Sequence, residues 1–308
     1  MNSLPFRTFL AWSREHFGTA LHRVALDAGS QCPNRDGTKG FGGCVYCDVE
    51  GSGTGALRKG EDLDRQLREG LARIARRGAP GPAVAYFQSY SNTYVAPARL
   101  EEVLATVEPF IGREVAALSI ATRPDTLGDD ALDVLARWNE RLPVWIELGL
   151  ESASDSVLQE INRLHTVADF EGAVRRSKAR GLTVIGHAIL GLPGDDREGA
   201  RRSAALLARE GVDGVKVHQT MVLRRTVLER WWKDGRVATL EVDEYVEWLA
   251  DFVERLRPEQ VLHRLNGDAD RAQLLAPQWS TLNPGVREKL AAELRRRGTH
   301  QGARLGVD

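Results

Sequence analysis

Three thiols in this chain could hold a redox-active metal centre. Cys32, Cys44 and Cys47 are spaced C-x11-C-x2-C in a glycine-rich stretch, and no other cysteine occurs among the 308 residues. Cysteine pairing across the fold is therefore excluded. Three thiolates held close together suit an iron–sulfur cluster with one iron left without a protein ligand. An open iron of that kind can bind a small molecule and pass it an electron. Zinc accepts thiolates as readily, so ligand type alone does not choose. Structural zinc usually takes four protein ligands, commonly as two close pairs. Here there is one close pair, one distant cysteine and no histidine in the loop, so Asp36 or Asp48 would have to complete a zinc site.

Further polar residues fall at the ends of predicted strands. Gln88 and Ser89 end one, and Thr122 and Arg123 end the next, just before Pro124, which enforces an extended exit. Glu147 and Glu151 bracket a fourth strand at alternate positions, so both point to one face. If that face is a barrel interior, a carboxylate there needs a cationic partner, from a bound ligand or a nearby arginine. Arg163 offers a planar fork for a carboxylate. Lys216 and His218 alternate with apolar residues on a late strand, as His187 does on the strand before. A lone strand histidine is more often a hydrogen-bonded core residue than a catalyst. Lys216 and His218 together are therefore the better catalytic candidates. Gly191-Leu192-Pro193-Gly194 lacks the lysine and hydroxyl of a P-loop and reads as a shaped loop.

The elements that must position these residues alternate in type. Apolar, β-branched runs at 23–28, 84–87, 115–121, 144–150, 182–190 and 214–221 read as strands. Helical patterns follow them, near 98–111, 129–139, 154–162, 167–180, 197–210 and 226–234. The helix after the cysteine loop carries Leu63, Leu67, Leu71 and Ile74 on one face. Thr166 with Asp169 resembles a capping box, and Gly181 is a plausible helix stop. Six β/α units with nearly continuous apolar strands imply a parallel sheet covered by helices. An open doubly wound sheet fits the same pattern. A curved partial barrel is preferred, because candidate polar residues follow several different strand ends. Residues 1–234 then form the core with its loop at 32–47, and 235–308 form a short α/β extension, with a helix near 242–257, a strand at 261–265 and a last helix at 285–297.

Hydrophobic residues at 42% and charged residues at 28% are ordinary for a soluble globular protein. No apolar run approaches the roughly 20 residues that cross a bilayer, and residues 1–9 lack a signal layout. The clustered, odd cysteine set points to a reducing compartment, so a cytoplasmic location is expected. Net charge of −1 neither demands nor excludes nucleic acid. The basic runs Arg73/Arg76/Arg77, Arg175/Arg176/Lys178/Arg180 and Arg295/Arg296/Arg297 each sit in a predicted last helical turn, where cations complement the helix dipole. An RNA-binding surface built from several of them stays open.

The residues flanking the cysteines carry a resemblance. Cys32-Pro33-Asn34-Arg35-Asp36-Gly37-Thr38 and Gly42-Gly43-Cys44-Val45-Tyr46-Cys47 resemble the cluster loop of radical S-adenosylmethionine enzymes. More narrowly, they are similar to the YhcC/MnmL-type family, related to the radical domain of the Elongator catalytic subunit. The similarity continues through Tyr86-Phe87-Gln88-Ser89-Tyr90, Thr122-Arg123-Pro124-Asp125, Glu147-Leu148-Gly149-Leu150-Glu151-Ser152 and Asn162-Arg163-Leu164-His165. It resumes at Gly191–Gly194, Lys216-Val217-His218, His263-Arg264 and Ala276-Pro277, covering almost the whole chain.

The resemblance implies an α/β fold, a partial (β/α)6 TIM barrel. It implies a [4Fe–4S] cluster on Cys32, Cys44 and Cys47, with S-adenosylmethionine chelated to the fourth iron. One electron then releases methionine and a 5′-deoxyadenosyl radical that takes a hydrogen atom from the substrate. Tyr46 would place a ring near the adenine. Gln88 and Ser89 stand where the superfamily often has Gly-Gly-Glu to receive the methionine amino group; Gln88 offers only an uncharged carbonyl. Arg163 is the candidate for the methionine carboxylate, with Thr122, Arg123, Glu147 and Glu151 as further cofactor-side residues. Leu164 stands where the related Asn-Arg-Gly-His pattern has glycine. The implied substrate is tRNA, with the wobble-uridine C5 side chain remodelled from carboxymethylaminomethyl toward aminomethyl, and an external one-electron donor is required. Acetyl transfer is not expected, since only a short segment follows the sixth unit. The competing readings are a radical enzyme acting on a protein or small molecule, and a zinc-stabilised binding module without catalysis.

Overall fold

The computed structural model describes residues 4–48, 56–57, 60–78, 81–282 and 285–307. Its centre is one parallel sheet, curled into a half-barrel. Strands β1 (His22–Leu26), β2 (Ala83–Phe87), β3 (Val115–Thr122), β4 (Val144–Glu151), β5 (Thr183–Leu190) and β6 (Gly214–Gln219) lie side by side in chain order. Helices α2 (Leu63–Arg76), α3 (Pro97–Ala105), α4 (Asp129–Asn139), α5 (Asp155–Glu160), α6 (Val167–Ala179) and α7 (Arg197–Arg209) form the crossovers between them. The signals read from sequence act where expected. Thr166 and Asp169 close a reciprocal capping box at the start of α6, and Gly181 follows it with φ of 71°.

The two faces of the sheet differ in chemistry because side chains alternate along each strand. Phe87, Ile120, Leu148, Val184 and Val217 face the helices and belong to the main core. Val84, Ala117, Trp145, Ile185 and Val261 form a separate cluster inside the curl. A helix not anticipated from sequence, α1 (Phe9–Phe17), closes that end of the interior. Phe9 and Trp12 meet Trp145 edge-on at 5.8 and 5.7 Å between ring centroids, and Phe9 lies 4.6 Å from the His263 ring. Edge-to-face packing suits the ring quadrupoles. With the N-terminal strand ends plugged, the interior opens at the C-terminal ends, where barrels of this type hold their sites.

The C-terminal extension is continuous with the core. After β6 come the short strand β7 (Val222–Leu223), α8 (Val227–Lys233) and α9 (Val242–Val253). Strand β8 (Val261–Arg264) then joins the main sheet as a seventh strand, parallel to β6. A short β9 (Leu274–Ala276), also unanticipated, pairs antiparallel with β7, and α10 (Val286–Arg296) ends the fold. Tyr245, Leu249, Leu290 and Leu294 of α9 and α10 sit in the same core as the barrel strands. The Asp251 carboxylate accepts hydrogen bonds from Arg197, Arg201 and Arg297 at 2.6–3.1 Å, clamping α7, α9 and α10 together. Arg175, Arg176, Lys178 and Arg180 likewise form ion pairs with acidic neighbours. That run and Arg297 thus have acidic partners within the fold. Among the described residues no helix is long and apolar enough to cross a membrane.

Candidate active site

The cysteine loop is held against the 161–164 segment by a reciprocal exchange of carboxamides. Asn34 Nδ2 donates to the carbonyls of Asn162 (2.6 Å) and Arg163 (3.0 Å), while Asn162 Nδ2 donates to the Gly43 carbonyl at 2.8 Å. The Val45 N–H adds a bond to the Ile161 carbonyl at 3.0 Å. Gly43 has φ of 79°, and a Cβ there would lie 2.9 Å from Arg35 Nε, so the close approach of this arginine requires glycine. Arg35 donates to Cys47 Sγ at 3.1 Å and to the Asp48 carbonyl. Asn34 Nδ2 and Arg163 Nη1 each stand 3.8 Å from Cys44 Sγ. Burial and then Cys44 push the Cys47 thiol up to about 12 against the pull of Arg35. To bind as a thiolate it needs further positive charge, which a metal supplies.

A cavity of about 380 Å³ opens beside the loop, and all three cysteines line it. So do Tyr46, Gln88, Thr122, Arg123, Glu147, Glu151, Arg163 and His218. Ser89 and Lys216 do not. Ser89 is wholly buried behind the strand end, its hydroxyl without a partner. Lys216 is 1% exposed and lies beneath the cavity, where its ammonium donates to Glu147 and sits 4.1 Å from the Tyr86 ring centroid. It stands behind the lining and holds Glu147, which does line the cavity.

Of the two carboxylates, Glu151 takes the arginine partner expected, Arg163 at 3.2 Å, and Glu147 takes other groups. They are Lys216, His187 Nε2 at 2.7 Å and the Ser119 hydroxyl at 2.5 Å, with no arginine among them. Burial alone would raise the Glu147 carboxyl, but Lys216 and His187 hold it well below the usual range. Burial pushes Lys216 down to about 7, with Glu147 opposing. His187, ranked behind Lys216 in the sequence, lines the cavity instead. The reason lies in cross-strand neighbours: His187 pairs in register with Lys216, and Glu147 with Ile185, which stacks the three side chains on the inward face.

Arg163 is nearly buried, with its guanidinium between Glu151 (3.2 Å) and Cys44, and its Nε lacks a partner. Arg123 makes a two-point contact with Asp125 (2.9 and 2.8 Å) and donates to the Arg163 carbonyl at 2.8 Å. The Thr122 hydroxyl is engaged by Ser91, Thr93 and Thr126. Tyr90, Glu151, Asn162 and Leu164 all have φ between 54° and 67°. Left-handed backbone at non-glycine residues costs about 1–3 kcal/mol each and concentrates at functional sites. Leu164 thus keeps the left-handed turn for which the related pattern uses glycine.

Asp125 also receives Lys39 of the cysteine loop at 2.6 Å, tying the loop to the end of β3. Burial by itself would raise this carboxyl, but Arg123 and Lys39 bring it down to about 2. Asp125→Asn is therefore expected to cost about 2 kcal/mol at neutral pH, the equivalent of that shift. Because the folded carboxyl is the stronger acid, its contribution is complete above about pH 4 and is lost as pH falls toward 2. Urea midpoints of the two proteins should converge in that window. A constant gap at every pH would refute the ion pair as its source.

The residues fit a cluster with an amino-acid-bearing ligand better than a lone zinc ion. Among the described residues, no group of three or more His, Cys, Asp or Glu side chains converges on a single metal position. In a cluster, each thiolate binds a separate iron. Arg163 Nε, Arg123 Nη1 and His218 Nε2 are buried without partners, and each of these residues lines the cavity. Such atoms call for a polar ligand. Sequence reading assigned no role to Asn34, Arg35, Tyr90 or Arg264. All four stood in the quoted motifs, but the contacts of Asn34 and Arg35 exist only once the loop closes.

Comparison with known proteins bears on the same residues. The Radical SAM superfamily model matches residues 32–207, and the Radical_SAM C-terminal domain matches residues 212–296. The uncharacterized protein YtqA of Bacillus subtilis is 37% identical over 289 residues, covering 94% of this chain and 89% of YtqA. Protein YhcC of Escherichia coli K12 is 32% identical, covering 85% of this chain and 84% of YhcC. A tRNA uridine(34) acetyltransferase of Dehalococcoides mccartyi is 28% identical over 64% of this chain, which spans only 42% of that longer protein. Among solved structures, Elp3 of Methanocaldococcus infernus superimposes with a TM-score of 0.70 at 17% identity, over 91% of this chain and 64% of Elp3.

Proposed function

This chain belongs to the radical SAM superfamily, within the YhcC-type family related to Elongator, and from that premise we propose that it remodels the C5 side chain of a tRNA wobble uridine, carrying carboxymethylaminomethyl toward aminomethyl. Its cofactors are a [4Fe–4S] cluster and S-adenosylmethionine. When bound, they supply one-electron cleavage of the sulfonium to a 5′-deoxyadenosyl radical, the abstractor of a substrate hydrogen atom. An external donor provides the electron.

The chain's own residues bind and orient. Cys32, Cys44 and Cys47 would hold the cluster. Arg163, whose Nε has no partner, would take the methionine carboxylate, Glu151 and Gln88 would take the ammonium, and Tyr46 would stand beside the nucleoside. Arg123 and Asp125 fix the segment that carries Arg163. The buried layer of Glu147, Lys216 and Tyr86 excludes water from below. The observation that carries the tRNA reading is the match, through most of this chain, to an enzyme named for uridine 34 of tRNA.

The test is mass spectrometry of wobble nucleosides. Anaerobically reconstituted protein, given reductant, S-adenosylmethionine and tRNA bearing 5-carboxymethylaminomethyluridine, should yield 5-aminomethyluridine and glyoxylate: the carboxymethyl methylene would lose two electrons, with S-adenosylmethionine as the oxidant ending as methionine and 5′-deoxyadenosine, and water would then break the resulting carbon–nitrogen double bond. Cells lacking the gene should accumulate the precursor. Active cofactor cleavage with an unchanged nucleoside profile in both settings would refute the tRNA substrate and leave a protein or small-molecule substrate.

A further inference from the structure

Among the described residues, Arg264 stands in the cavity wall without a counter-charge. Arg264, the last residue of β8, lines the cavity, yet among the described residues its guanidinium makes no hydrogen bond and no ion pair. Two acidic residues that follow it in the chain and share the lining are otherwise placed. Asp270 Oδ1 accepts the Ala272 N–H at 2.9 Å, and Asp268 is exposed at the mouth; neither pairs with Arg264. The wall around Arg264 is itself cationic. Lys216 is its register partner on β6, and Arg23 lies below, its guanidinium against His263 at 3.3 Å. The carboxylate of this layer, Glu147, is already shared by Lys216, His187 and Ser119. A free guanidinium beside other cations in a half-enclosed cavity is a site for an anion, and its planar fork matches a carboxylate.

We infer that Arg264 is the receptor for a carboxylate carried by the substrate. The cofactor's own carboxylate has a separate candidate in Arg163, which stands 3.8 Å from Cys44. Among the described residues Arg264 makes no hydrogen bond or ion pair to that loop, although the curl brings β8 beside β1, where Arg23 meets His263. The inference rests on the wobble-uridine reading only for the identity of the group that bears the carboxylate, the terminal carboxymethyl. On this account the enzyme selects carboxymethylaminomethyl over aminomethyl side chains, so its product lacks the group that held the substrate.

The test compares full-length, cluster-reconstituted parent protein with Arg264→Gln and Arg264→Lys, using iron content to verify loading. With tRNA bearing 5-carboxymethylaminomethyluridine, Arg264→Gln should lose roughly 30-fold or more in kcat/KM, mainly through KM, as expected when one partner of an enclosed charge pair is removed. Arg264→Lys should recover part of it. The parent should also bind this tRNA more tightly than the same tRNA bearing 5-aminomethyluridine, and Arg264→Gln should erase that preference. A preference that survives in Arg264→Gln overturns the inference while leaving the tRNA reading intact. A matching loss of S-adenosylmethionine affinity also overturns it, by reassigning Arg264 to the cofactor. If the parent ignores both tRNAs, the wobble reading fails, and 13C-acetate becomes the probe, with acetamide as the neutral control. Acetate line broadening by the parent but not by Arg264→Gln upholds the carboxylate site, and no difference between them overturns it.

Discussion

Cys44→Ser is expected to remove the iron–sulfur cluster and reduce 5′-deoxyadenosine formation to background, with the barrel intact. Cys44 is 5% exposed, and its sulfur sits between the amide of Asn34 and the guanidinium of Arg163, both at 3.8 Å. A serine hydroxyl stays protonated and is a harder ligand, poorly matched to iron in a sulfide cluster. Cys44 belongs to none of the hydrophobic clusters that hold the sheet and helices together, so the loss is confined to the loop. Iron analysis and the thiolate-to-iron absorption of anaerobically reconstituted protein measure it directly. Full 5′-deoxyadenosine production by the variant would show that Cys44 is not a ligand.

The second large effect concerns stability. Glu147→Gln leaves the Lys216 ammonium, 1% exposed, without its carboxylate and facing Arg23 and Arg264. Removing one member of a buried ion pair costs about 3–5 kcal/mol, because the remaining charge is neither solvated nor paired. Chemical denaturation in mild acid should reveal that deficit. The sign with pH follows from burial, which already lowers Lys216 from 10.5 to about 7 in the parent. Without Glu147 the lysine becomes a still stronger acid. As pH rises toward 7 the variant sheds the proton first and regains stability, so its deficit is largest in mild acid and shrinks up to about pH 7. Above that, the lysine is largely neutral in both proteins. Lys216→Met in the Glu147→Gln background should restore much of the loss, since no unpaired charge then remains. A double variant no more stable than Glu147→Gln would argue that lost shape, and not lost charge pairing, causes the defect.

The strands, most of the helices and the candidate cysteine loop were legible in the chain because each is encoded by near neighbours. A strand declares itself by apolar β-branched runs, α6 by the Thr166–Asp169 box and Gly181, and the cluster loop by the spacing of three cysteines and the glycines between them. These are patterns a few residues long, and they act before distant parts of the chain meet. What the tertiary structure alone decided is who stands across from whom. Strict alternation would put His263 on the inner face and Arg264 outside. The register irregularity between Val215 and Lys216 pairs Lys216 directly with Arg264, so His263 packs on Phe9 while Arg264 also reaches the cavity. The same dependence on register joined Glu147 to Lys216 and His187, and brought α1, far away in sequence, under Trp145 to seal the interior. Side-chain partners across strands depend on how the sheet aligns and curls, a property of the assembled whole that no local window of residues carries.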